Sequence, residues 1–168
     1  ADSGINVPAS RVKKVLFGID VDSGELLMAK GKGYDLVICH HPTGDSSQVN
    51  FPKILQRQGV LLERAGVPRE AAQRAVTALL DDHEPSAHAR NYDRLPSVAK
   101  MIGMPLMAIH NPCDEIGRRV MDETLRAHLP TNPKIADAIS ALNTLPEFQK
   151  AMTKIVVRMG REDNPLGK

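Results

Sequence analysis

The chain has 168 residues, a length that fits one domain with a trailing segment and allows roughly 70% of the unfolded surface to be buried. Apolar residues make up 42% and charged residues 25%, the balance of an ordinary globular protein. The net charge of +2 is too small to point to a nucleic-acid or anionic-membrane partner. Three Phe, two Tyr and no Trp leave the core to Leu, Ile, Val, Met and Ala. Two cysteines cannot form a disulfide framework, so reduced thiols and a cytoplasmic setting are expected. No apolar run approaches the ~18 residues of a membrane helix, and Ala1 to Lys14 holds no signal-peptide core.

In chain order, Val12 to Val21 reads as a strand closed by Asp22-Ser23-Gly24. Glu25 to Lys32 follows as a helix with Ser23 as its N-cap and Gly31 and Gly33 as stop signals. Tyr34 to His41 is a second strand, a continuous apolar run suited to burial on both faces of a parallel sheet. The pattern then turns helical, over Phe51 to Arg64 and Pro68 to Leu80. Asp81 to Asp93 is polar and reads as a loop or a frayed continuation of that helix, and Pro96 to Met101 as another helical turn. Leu106 to His110 is a third strand, Ile116 to Leu129 and Pro133 to Leu142 are helices, and Lys154 to Met159 is a fourth strand. The class is α/β, a parallel or mixed sheet flanked by helices. One α/β domain over 1–160 with a terminal segment 161–168 is the expected organisation.

His40-His41-Pro42 closes the second strand, and ligands of open α/β sheets bind beyond the carboxyl ends of such strands. Successive strand residues face opposite ways, so one tight site does not readily take both histidines. A turn under Pro42 can aim them at two neighbouring positions, as a two-metal centre requires; a pair of solvated loop histidines is the other reading. His110-Asn111-Pro112-Cys113-Asp114 occupies the equivalent place on the third strand. Asp114 can be a bridging carboxylate for two divalent ions or the N-cap of a helix starting near Ile116. Cys39 and Cys113 flank these positions and fit a strand interior better than a metal site. Asp20 and Asp22 can line the same crevice, although a plain turn role suits them better.

Other patterns fail on spacing. His83-Glu84-Pro85-Ser86-Ala87-His88 has one residue too many for a zinc-protease helix, and Pro85 is expected to interrupt that helix. Gly31-Lys32-Gly33 lacks a third glycine and follows a helix instead of opening one. No serine sits in a Gly-flanked elbow, and there is no phosphate-cradling Gly-Lys-Ser/Thr run.

Asp35-Leu36-Val37-Ile38-Cys39-His40-His41-Pro42, preceded by Asp2-Ser3-Gly4-Ile5-Asn6-Val7 and the strand Val12 to Val21, resembles the opening of the Nif-three-like dinuclear metal-binding proteins. His110-Asn111-Pro112-Cys113-Asp114 is similar to that family's His-Thr-x-x-Asp motif, with Asn111 in place of its Thr. The resemblance covers the N-terminal half of the family, from about Asp2 to Asp114. It implies His40, His41 and Asp114 as metal ligands, with His110 in or near the surrounding shell. It also implies two divalent ions, of which Zn, Fe, Mn, Co or Ni all suit histidine and carboxylate. A metal-dependent hydrolase of GTP cyclohydrolase I type 2 kind acting on a nucleotide-like small molecule, in a ring-shaped homohexamer, is what the family leads one to expect. A metal-binding or protein-interaction module without turnover is the alternative.

The family takes further ligands from a later His-x-x-x-Glu/Asp motif. No histidine follows His128, whose fourth successor is Asn132. The front portion of a longer protein is therefore the expectation, with a divergent member carrying an incomplete site as the other possibility.

Overall fold

The computed structural model describes residues 2–44, 49–89 and 91–167, without the side chains of Phe51, His83, Glu84, Ala87 and His88. The chain forms two compact units, Ala1–Cys113 and Asp114–Lys168.

The first unit is built on a mixed four-stranded sheet. Its strands are β1 (Gly4–Val7), β2 (Val15–Gly18), β3 (Leu36–Cys39) and β4 (Leu106–Ala108), in the order β1-β4-β3-β2. β2, β3 and β4 are parallel, and β1 joins antiparallel on the outer edge of β4. The central β3 is apolar throughout, because a strand with parallel neighbours on both sides is buried on both faces. Helix α1 (Ser23–Gly31) connects β2 to β3; α2 (Phe51–Leu55), α3 (Gln58–Arg64), α4 (Arg69–Ala89) and α5 (Arg94–Ile102) connect β3 to β4.

Leu16, Val37 and Leu106 stand in one register row and face Leu26 and Ala29 of α1 and Leu95 and Ala99 of α5. With Val21, Cys39, Met104 and Ala108 they make the core cluster, which is aliphatic as the composition implies. The opposite parity sets Phe17, Ile38, Met107 and Ile5 in a second row on the other face, where Phe17 and Ile5 are exposed. Asp22, not Ser23, caps α1: its carboxylate accepts from Ser23 N–H, and Glu25 accepts from Asp22 N–H at 2.8 Å, a reciprocal capping box. α5 ends on Gly103 at φ +63°, a left-handed stop that costs a residue without Cβ nothing.

The second unit holds most of α6 (Asn111–His128), then α7 (Ile135–Leu142) and α8 (Pro146–Lys150). Glu115–Arg118 and Asp122–Arg126 form exposed ion pairs along α6 at helical spacing. A single antiparallel bridge joins Lys134 to Pro165.

Several boundaries differ from the sequence expectation. The first strand is four residues instead of ten, and Gly4–Val7 is a strand that its polar setting did not announce. Phe51 to Arg64 forms two short helices rather than one. α4 runs through Pro85 to Ala89, so Pro85 does not interrupt it. Pro85 is exposed, and a proline's missing bond is affordable in a helix already several turns long when the gap faces water. Lys154 to Met159 forms no strand: among the described residues nothing pairs with it, and β-branched residues need a partner strand to hold an extended ladder. No described helix is long and apolar enough to cross a membrane.

Candidate metal centre

His40 and His41 continue the parallel ladder one step past β3. The His40 N–H donates to Gly18 O at 2.8 Å and the His41 N–H to Ile19 O at 3.0 Å. Pro42 then turns the chain, and Gly44 passes so close to Tyr92 O and Pro96 of α5 that a Cβ there has no room. That contact fixes the loop carrying both histidines against α5. His110 follows β4 in the same way, after Ile109 N–H donates to Cys39 O at 2.9 Å.

The three imidazoles converge. Ring centroids are 5.0 Å apart for His40–His41, 4.7 Å for the stacked pair His40–His110, and 5.8 Å for His41–His110. Each residue offers one ligand nitrogen, and no two of these lie more than 4.8 Å apart. Among the described residues this is the group of histidines, cysteines and carboxylates able to hold a metal ion.

On each ring Nδ1 is engaged from behind. His40 Nδ1 lies 3.2 Å from Ile109 O, His41 Nδ1 2.8 Å from Asp20 Oδ1, and His110 Nδ1 3.0 Å from Asp2 Oδ2. A carbonyl or carboxylate oxygen can only accept, so each contact is a hydrogen bond in the form whose Nδ1 carries the hydrogen, the form that in a neutral ring keeps its lone pair on Nε2. Backbone carbonyls and carboxylates behind metal-binding histidines play this part in general.

The residues singled out in the sequence divide as follows. His40, His41 and His110 come together, with His110 offering a ligand atom within the same 4.8 Å group. Asp114 lies within the first turn of α6, which starts at Asn111 and not near Ile116, so it does not cap that helix. Cys39 is fully buried in β3, and burial pushes its thiol up from the ordinary range, which disfavours the thiolate a metal needs. Asp22 is consumed by the α1 cap, where the Ser23 N–H and the Arg94 guanidinium hold its carboxyl below the usual range. Asp20 does more than turn the chain: it is the partner of His41. Asp2 opens one of the stretches that carry the resemblance, which assigns it no role; the pairing of β1 with β4 brings it to His110.

A cavity of about 530 Å³ opens beside His41, lined among others by Asp20, Asp22, Glu25, Thr43 and Arg94. Its size suits a small polar molecule.

This chain superposes over its full length, with a TM-score of 0.94 and 44% sequence identity, on the crystal structure of a NIF3 superfamily protein from Sphaerobacter thermophilus. The chain belongs to the NIF3-like family. It spans 62% of the length of that relative. No family profile and no curated sequence matches it.

Proposed function

We propose that this NIF3-like chain binds divalent metal at His40, His41 and His110, with two ions as the full complement. The observation that carries the reading is the convergence of three imidazoles whose Nδ1 atoms all bond to acceptors. Donors on one tetrahedral ion stand about 3.3 Å apart, and the ligand atoms of this set all lie within 4.8 Å of one another, close enough for small side-chain shifts to gather them on an ion. Nitrogen and carboxylate donors suit Zn, Fe, Mn, Co or Ni. A divalent ion held there supplies Lewis acidity and lowers the pKa of water.

The chain's own residues would supply the rest. Ile109 O, Asp20 and Asp2 hold the rings, and the cavity beside His41 offers a place for a substrate. A metal-dependent hydrolase acting on a nucleotide-like small molecule, in a homo-oligomer, is the activity we put forward. The second reading, a metal-binding module without turnover, draws on the same cluster.

Titrating the untagged chain with Co(II) and following its visible absorption tests the metal reading. Saturable bands that His110→Ala abolishes support it; their absence in the wild type refutes it. Incubation of the metal-loaded chain with a panel of nucleoside triphosphates separates hydrolase from module.

A further inference from the structure

Asp2 precedes β1 and belongs to no element, yet it is the charged residue that is buried among the described residues, 5% exposed. A carboxylate taken out of water must be compensated by hydrogen bonds. Its Oδ2 accepts from His110 Nδ1 at 3.0 Å and from the Asn111 N–H at 3.3 Å, and its Oδ1 from the Ser3 hydroxyl at 3.4 Å. The Ser3 hydroxyl oxygen in turn accepts from the His110 N–H at 3.0 Å. β1 pairs with β4 antiparallel, Gly4 opposite Ala108. The same register carried outward sets Asp2 opposite His110, so the first strand is what delivers this carboxylate to the ring.

We infer that Asp2 is a positioning residue, which from the N-terminal strand holds His110 in its Nδ1–H tautomer and leaves Nε2 as the donor nitrogen of the cluster with His40 and His41. Its consequence for metal rests on the reading above, whereas the tautomer itself does not. The two carboxylates behind the cluster differ: Asp20 is 85% exposed and open to screening, while Asp2 works from a dry position that fixes its partner more firmly. Loss of such an outer partner generally costs 10–100-fold in metal affinity.

The test is a long-range ¹H–¹⁵N correlation spectrum of the labelled, metal-free chain at pH 8, joined to zinc affinity by chelator competition, on wild type and Asp2→Asn. The amide can donate as well as accept and so no longer imposes one tautomer. The expected result is the Nδ1–H form of His110 in the wild type, a mixed population in Asp2→Asn, and zinc binding weakened about 10–100-fold with the far-ultraviolet circular dichroism unchanged. An Nε2–H tautomer in the wild type overturns the inference whether or not the variant folds. So does a folded Asp2→Asn chain that keeps both tautomer and affinity. Failure of the wild type to bind zinc overturns the metal reading instead, and the tautomer then decides the part played by Asp2.

Discussion

The rings of His40 and His110, from the ends of two adjacent parallel strands, lie stacked with centroids 4.7 Å apart and planes 25° from parallel. On the proposed metal reading, the pair sets His110 beside His40 as a ligand. His110→Ala is therefore expected to weaken zinc binding as much as His40→Ala does, and by more than the 10–100-fold typical of an outer partner. Chelator competition on the two variants measures it; a His110→Ala chain with wild-type affinity contradicts it.

Asp20 stands behind His41 at 2.8 Å but is largely in water. Asp20→Ala should reduce zinc affinity by about 10-fold, the lower end of outer-partner losses. Added salt should shrink the difference, because an exposed pair is screened. Affinities at low and high ionic strength check both statements.

Gly44 passes Tyr92 O and Pro96 so closely that an added Cβ must displace backbone. Gly44→Ala is expected to destabilise the chain by about 1–3 kcal/mol, as overpacking does, and to weaken metal binding because the same loop carries His41. Denaturant unfolding and zinc titration of the variant read the two effects separately.

How far the sequence carries can be judged residue by residue. The double histidine, the strand before it and the His110 segment were legible because each is local: an apolar run, a turn under Pro42, and a matching motif at the next strand end. The partnerships of Asp2 with His110 and of Asp20 with His41 were not, since both depend on which strands pair and in what register. Lys154 to Met159 misled for the related reason that strand composition without a partner strand does not make a strand. The uninterrupted α4 shows the opposite case, in which a local breaker, Pro85, is overridden by the helix around it.

Leu26 is fully buried between α1 and the sheet, whereas Met101 is 86% exposed. Leu26→Ala should cost about 2–5 kcal/mol, and Met101→Ala no more than about 0.5 kcal/mol. Urea unfolding of both variants distinguishes core from surface.

Asp35 accepts from the backbone N–H groups of Lys13 and Lys14, each at 2.8 Å, and these bonds hold its carboxyl below the usual range. A folded pKa depressed below the unfolded one adds stability that is complete above the unfolded value, about 3.9. That stability is lost as pH falls through the lower folded value. Asp35→Asn should therefore lower stability at neutral pH and flatten the acid limb of the stability curve. Unfolding midpoints from pH 2 to pH 6 for both chains test this, and parallel acid limbs count against it.

The central claim is that His40 and His41 hold metal, and elemental analysis of the untagged chain tests it most directly. The chain is loaded with zinc and dialysed beside the His40→Ala/His41→Ala variant. About one to two ions per wild-type chain and none in the variant are the expected result. A metal-free wild type, or equal metal in both, contradicts it.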